Sequence, residues 1–112
     1  GMNNTSTARG LASLFIAIYK RRYPNEQYYS IMMDILLAQK FNNKIPKYLP
    51  ENVKVAHKTG SITGVNHDSG IVFLPDGRAY VCVVMASGLQ DTEKGVEVLA
   101  RISQIMYRHI TR

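Results

Sequence analysis

Leu11, Leu14, Phe15 and Ile18 recur at i, i+3, i+4 and i+7. That spacing predicts an amphipathic helix with one apolar stripe. The hydroxyls of Thr5, Ser6 and Thr7 stand ahead of it as N-cap candidates. Pro24-Asn25 leads into a second helix, whose face is marked by Tyr28, Ile31, Met32, Ile35, Leu36 and Gln39. The segment FNNKIPKYLPEN, with two prolines and three asparagines, reads as a loop. The period then changes to two. Val53, Val55 and His57 fall on one side of a strand, and Lys54, Ala56 and Lys58 on the other. Ile71–Leu74 is a short apolar strand, and Pro75-Asp76-Gly77 a turn in which Gly77 suits a positive φ. Ala79–Ser87 is apolar on both faces, as in a covered strand near a sheet centre. Asp91 caps a last helix with the stripe Leu99, Ile102, Met106 and Ile110.

The order helix, helix, three strands, helix predicts an α+β fold: a three-stranded antiparallel sheet packed with helices. The 112 residues suit one domain with a modest core, and no repeat or linker divides them. Gly1 ahead of Met2 has the look of a tag remnant before a start methionine. With 46% hydrophobic and 20% charged residues the composition is globular, not disordered. No apolar run reaches membrane-spanning length and no signal peptide is visible. A net charge of +6 favours anionic partners: nucleic acid, wall polymers or carboxylate substrates. The bases are scattered, however. Lys20-Arg21-Arg22, the one cluster, sits where cations favour a helix C-terminus, so nucleic acid is set aside. A single cysteine excludes an internal disulfide and a Cys-based zinc site, and Cys82 within AYVCVVMAS reads as a buried, inert thiol. His57, His67 and His109 are dispersed, so neither a metal nor a cofactor is expected.

The candidate chemistry lies in HKTGSITG, residues 57–64. A strand can end at Gly60 with no purpose beyond a turn. A buried lysine beside an outward threonine, with a glycine that lets a ligand approach the backbone, also suits an anionic substrate. Lys58-Thr59-Gly60 alone is a weak pattern. Its place gives it weight: the end of an alternating strand, ahead of a hairpin and a closing amphipathic helix. Here the chain resembles the class A serine β-lactamases and related penicillin-recognising serine hydrolases, whose third motif is K-T/S-G on such a strand. NNTSTARGLASLF resembles the segment that opens the helix after that family's omega loop. VKVAHKTGSITGVNHDSGIVFLPDGRAYVCVVMASGL resembles its three consecutive strands, and DTEKGVEVLARISQIMYRHI its closing helix. The resemblance covers essentially all of residues 1–112, as the C-terminal portion of such a domain.

The resemblance implies a role for each motif residue. Lys58 holds positive potential over a cleft and helps bind the substrate carboxylate. The hydroxyls of Thr59 and Ser61 hydrogen-bond that carboxylate, and the Ser61 backbone N–H is one of two oxyanion donors. Gly60, without a Cβ, lets an acyl group approach the strand edge. His67 and Asp68 are adjacent on a strand, point to opposite faces and cannot form a dyad with each other. A cation that some family members carry on the neighbouring strand falls near His67. This residue is therefore expected to line the cleft beside Lys58 and assist anion binding when protonated. His57, on the face opposite Lys58, and His109, at a helix end, read as structural.

The family's nucleophile motif, S-x-x-K, is not in this sequence: no serine is followed by lysine three residues on. Nor is there an S-D-N, or a glutamate ahead of the first helix. In the family these lie N-terminal to the matched segment. The resemblance therefore implies β-lactam hydrolysis through an acyl-enzyme in a complete domain, with this chain supplying the anion-binding and oxyanion wall and no turnover by itself. Two N-terminal strands of the family extend the sheet beside Ala79–Ser87. Their absence leaves an apolar edge, which self-association or segment exchange is expected to cover. Three readings stay open. One is a hydrolase fragment completed by an N-terminal half. Another is a non-catalytic binding module for β-lactams or wall peptides. The third is a structural domain with a residual KTGS. The family is usually extracytoplasmic in bacteria, serving antibiotic resistance or wall metabolism.

Overall fold

One side chain opens each helix. Thr7 Oγ1 accepts the Gly10 N–H at 3.0 Å and starts α1 (Ala8–Tyr19). Asn25 Oδ1 accepts the N–H groups of Gln27 and Tyr28 at 3.0 and 3.1 Å and starts α2 (Glu26–Leu37). Asp91 Oδ1 accepts the Lys94 N–H at 3.1 Å and starts α3 (Thr92–Ile110). Each satisfies an amide that a first helical turn leaves unpaired. Arg21, with φ of 53°, takes the left-handed position that stops α1. The structure is a computed structural model and describes residues 7–21, 25–62, 65–87 and 91–112, with the backbone alone for Ser61 and Ile62. The cap candidates Thr5 and Ser6, and Pro24, lie outside the described residues.

The strands β1 (Lys54–Ile62), β2 (Val65–Phe73) and β3 (Ala79–Ser87) form an antiparallel sheet in the order β1-β2-β3. With the three helices this is the expected α+β fold. Val55 faces Val72, His57 faces Gly70, Thr59 faces Asp68 and Gly60 faces His67. The turn into β3 is closed by the Gly77 N–H donating to the Leu74 carbonyl at 3.1 Å, with Gly77 at φ of 91°. β2 is longer than the predicted Ile71–Leu74, because Asn66, Asp68 and Ser69 are polar yet buried and so break the apolar pattern.

Helices cover both faces of the sheet. One core joins Val55, Val72, Cys82 and Val84 to Leu99 of α3 and Ile45 of the loop before β1. The other joins Ile71 to Phe15 and Ile18 of α1 and to Met32, Met33 and Leu36 of α2. Ala56 is fully buried too, so β1 is covered on both sides where its alternation implied one. Burial pushes the Cys82 thiol up to about 12, in keeping with an inert core residue.

Each helix carries more apolar surface than the sheet hides. The predicted stripes therefore divide: Phe15, Ile18, Met32 and Leu99 pack inward, whereas Leu14, Tyr28, Ile31, Ile35 and Ile102 face solvent. Ile16 and Tyr19 of α1, and Val98 and Ile105 of α3, are exposed as well. Among the described residues, no helix is long and apolar enough to cross a membrane.

Candidate functional site

A buried polar network pins the loop before β1 to the sheet. Asp68, fully buried on β2, holds Oδ1 2.8 Å from His57 Nδ1, and its Oδ2 accepts the Ile45 N–H at 3.0 Å. His57 Nε2 lies 3.0 Å from Asn42 Oδ1, and the Ile45 carbonyl accepts from Ser103 Oγ at 2.9 Å. His57 is thus the structural residue expected, and its partner is Asp68, diagonal to it across the ladder. A second clamp holds the loop against α3. Glu97 accepts from Lys47 Nζ at 2.7 Å, from the Tyr48 hydroxyl and from Arg101 Nε at 3.0 Å, while the Arg101 guanidinium lies 4.0 Å from the Tyr48 ring centre. Lys47 and Tyr48 hold the Glu97 carboxyl down at about 2. The first network brackets Lys44, which stands between Asn42 and Ile45.

Lys44 lies beside the KTG strand. It is 4% exposed and lines a pocket of about 430 Å³ with Phe41, Lys58, Thr59, Gly60 and Asn66; Thr92 and Val96 of α3 close the far side. Burial lowers the Lys44 pKa, Asp68 opposes that, and Lys58 adds to it. Asn66, 3% exposed, leaves its Oδ1 without a hydrogen-bond partner. The pocket therefore gathers two ammonium groups, a hydroxyl and an amide, a set suited to an anion. The sequence reading missed both Lys44 and Asn66. A lone lysine in a loop and an asparagine near a turn carry no periodic signal; only the fold brings them to Thr59.

The burial of the KTG pair is the reverse of a buried lysine beside an outward threonine. Lys58 is exposed and Thr59 is buried, because Thr59 lies on the sheet face that α3 and the loop cover. The Lys58 ammonium folds back to donate to the Thr59 carbonyl at 2.6 Å. The Ser61 and Ile62 side chains, and residues 63–64, lie outside the described part of the motif.

His67 shares the Lys58 face of the sheet, but its ring is not on the pocket wall. It stands over Gly60: a Cβ added there would lie 2.0 Å from His67 Nε2. Burial, with help from Lys44 and Lys58 and against Asp68, lowers the His67 pKa. A folded imidazole below its unfolded value of about 6.5 binds fewer protons than the unfolded chain does, so acidification costs stability. Stability is expected to fall as pH drops below about 6.5 and to level off below the folded pKa. His67→Gln should flatten that slope in urea midpoints taken from pH 7.5 to 5; equal slopes for variant and wild type would contradict the assignment. Protonation of His67 in the folded chain is disfavoured for the same reason.

A family model described as the β-lactamase enzyme family matches residues 1–110. The chain belongs to the β-lactamase enzyme family. A β-lactamase of Bacteroides uniformis is 34% identical over 73 residues, covering 58% of this chain and 25% of that protein. The solved structure of PBP-A superposes with a TM-score of 0.90 at 28% identity, over 97% of this chain and 41% of its own. A class A β-lactamase representative from Bacteroides cellulosilyticus DSM 14838 gives 0.86 at 29% identity, over 94% and 41%. This β-lactamase-family chain thus spans a quarter to two-fifths of the length of these relatives. Its sheet and three helices match the corresponding part of their fold.

Proposed function

We propose that residues 1–112 are the C-terminal portion of a serine β-lactamase-like domain and form the wall that binds the substrate carboxylate and the acyl oxygen. The observation that carries this reading is the meeting of Lys44, Lys58, Thr59 and Asn66 around one pocket beside Gly60. Two cations with hydrogen-bonding neighbours favour a carboxylate, and an anion between them would relieve their mutual repulsion. β1 is also an edge strand. The Thr59 carbonyl takes the Lys58 ammonium and so faces the free edge. In an extended strand the N–H two residues on faces the same way, which directs the Ser61 N–H outward as an oxyanion donor. His67 belongs to this wall through Gly60, whose backbone it backs. A mutant of PBP-A has been solved as an acyl-enzyme with penicillin G, which supports a β-lactam as the ligand class.

In this reading the reaction is opening of the β-lactam amide. A serine elsewhere in a complete domain gives up its proton and adds to the carbonyl while the Ser61 N–H shares the developing negative charge; the ring C–N bond then breaks, its nitrogen takes a proton, and water cleaves the acyl ester and frees the serine. The chain by itself binds without turning over. The pocket's ligand is a small carboxylate such as a β-lactam or a wall peptide. The exposed apolar faces take a protein partner, either a further copy or the rest of a longer domain.

Titration of labelled chain with benzylpenicillin should move the Lys58, Thr59 and Ser61 resonances. Lys44→Ala and Lys58→Ala should each weaken that binding about tenfold, as expected for one charge-assisted hydrogen bond. Addition of an N-terminal segment carrying S-x-x-K should restore hydrolysis of a chromogenic cephalosporin. Absent shifts at Lys58 and Ser61, or a penicillin adduct on any serine of the isolated chain, would overturn the proposal.

A further inference from the structure

We propose that Lys44 is a reactive amine: a short 2-oxo acid, its carboxylate held by Lys58 and Thr59, forms an imine with the Lys44 nitrogen. The inference rests on the carboxylate reading above for the place of the acid group, and adds a covalent step to it.

Burial sets this lysine apart. Lys44 is 4% exposed, and every other lysine of the chain is exposed. Lys47 is paired with Glu97, and Lys58 donates to the Thr59 carbonyl. The Lys44 side chain has neither a hydrogen bond nor an ion pair from any described residue. A charge buried without such a partner is costly, which favours the neutral amine. A lysine that is desolvated, or set beside a second cation, becomes a nucleophile. Lys44 meets both conditions: burial lowers its pKa, Asp68 opposes that, and Lys58 adds to it.

The pocket supplies what an imine needs around that nitrogen. The loop before β1, β1 itself, β2 and α3 each give a wall, so the site is built from this chain's own residues. Its volume of about 430 Å³ admits a small acid together with water. Asn66, 3% exposed, lines it and leaves Oδ1 without a partner. An orphan acceptor in such a place calls for a ligand that brings a donor. A carboxylate alone brings none, whereas the hydroxyl formed when an amine adds to a carbonyl does. A 2-oxo acid carries its carboxylate and its electrophilic carbon on adjacent atoms. One end can therefore meet Lys58 and the Thr59 hydroxyl while the other meets Lys44.

The step balances without an oxidant or reductant. After losing its proton to solvent, the Lys44 amine forms a C–N bond to the carbonyl carbon, and the C=O π pair moves to oxygen. A proton passes from nitrogen to that oxygen, giving a hydroxyl that donates to Asn66 Oδ1. The hydroxyl then takes a proton from solvent and leaves as water while the nitrogen lone pair closes the C=N bond. The product is an iminium cation beside the bound carboxylate, a charge pair that favours its retention.

Glyoxylate, the smallest 2-oxo acid, tests this together with cyanoborohydride, which reduces an imine to a stable N-carboxymethyl amine. Peptide mass spectrometry of the treated 112-residue chain reads the sites. At neutral pH Lys44 should be labelled at least about tenfold faster than any other lysine, the advantage of one pKa unit in free amine. Formaldehyde with the same reductant brings no carboxylate and should give Lys44 a smaller lead. Lys58→Ala should cut the glyoxylate label at Lys44 about tenfold, as expected for one charge-assisted hydrogen bond. Lys44→Arg keeps the charge but cannot form an imine, so the fast label should vanish. Labelling spread evenly over the lysines, or a lead at Lys44 that Lys58→Ala does not reduce, overturns the proposal. Benzylpenicillin shifts at Lys58 without glyoxylate labelling at Lys44 would strike the imine alone; absence of both would strike the carboxylate reading with it.

Discussion

Asp68→Ala is expected to cost about 3 kcal/mol or more of folding stability, the scale for removing one partner from a buried, hydrogen-bonded pair. The carboxyl serves two elements at once. It faces His57 on β1 and accepts the Ile45 N–H from the loop, and both groups are in the interior. Alanine leaves a ring nitrogen and an amide unpaired where water cannot reach them. A side-chain amide in place of the carboxylate keeps one acceptor, so Asp68→Asn should lose less, about 1–2 kcal/mol. Urea unfolding of the two variants and of His57→Ala gives the test through a double-mutant cycle. Coupling between the two positions above about 1 kcal/mol is the expected result for residues in one network. Additive effects, or a cost of a few tenths for Asp68→Ala, would show that the network is not what holds the loop. The consequence for function follows from the same contacts. Ile45 is next to Lys44, so loosening it should speed exchange of the Ile45 amide and weaken penicillin binding even though Asp68 touches no ligand.

This network also marks where the sequence stops being legible. Helices α1 and α3 and strand β3 declare themselves because their buried positions are apolar and evenly spaced. Phe15 and Ile18, and Leu99 and Met106, sit where the period places them, whereas the run Ala79–Ser87, expected near the sheet centre, is the outer strand of the described sheet, with Met85 exposed. The KTG strand declares itself by chemistry rather than period. The start of β2 does neither. Asn66, Asp68 and Ser69 look like loop residues because their reason for being buried lies in partners distant in the chain: Ile45 and His57 for Asp68, and the Lys44 pocket for Asn66. The solvent-facing Ile31, Ile35 and Ile102 show the opposite failure. Period alone cannot tell an apolar face that packs in this chain from one that waits for a partner. Lys44 combines both difficulties, being a polar loop residue buried by a tertiary contact.

The glycines of the β1–β2 ladder give the second large effect. Each histidine of this ladder stands directly opposite a glycine: His57 across from Gly70, and His67 across from Gly60, on opposite faces of the sheet. The two pairs should respond differently to an added methyl group. At Gly70 a Cβ would lie 2.3 Å from the Ala56 carbonyl oxygen and 2.8 Å from His57 Cα, so the obstacle is backbone held in the ladder. Relief requires separating β1 from β2 at the point where His57 meets Asp68. Gly70→Ala is therefore expected to cost about 3 kcal/mol, the upper end for overpacking, and no change at His57 should recover it. At Gly60 all three nearest atoms belong to the His67 ring, which can rotate away. Gly60→Ala should cost about 1 kcal/mol, and His67→Ala should remove most of that penalty, a coupling visible as non-additivity. Chemical denaturation of the four single and two double variants decides the matter. An equal cost at the two glycines, or rescue of Gly70→Ala by His57→Ala, would mean that the ladder yields where the packing says it cannot. The pairing has a functional edge as well. Gly60→Ala with His67→Ala restores the fold but leaves a methyl group on the sheet face opposite Thr59. Its penicillin binding should therefore match wild type if the carboxylate enters from the Lys44 side, and fall if the ligand lies against the His67 side.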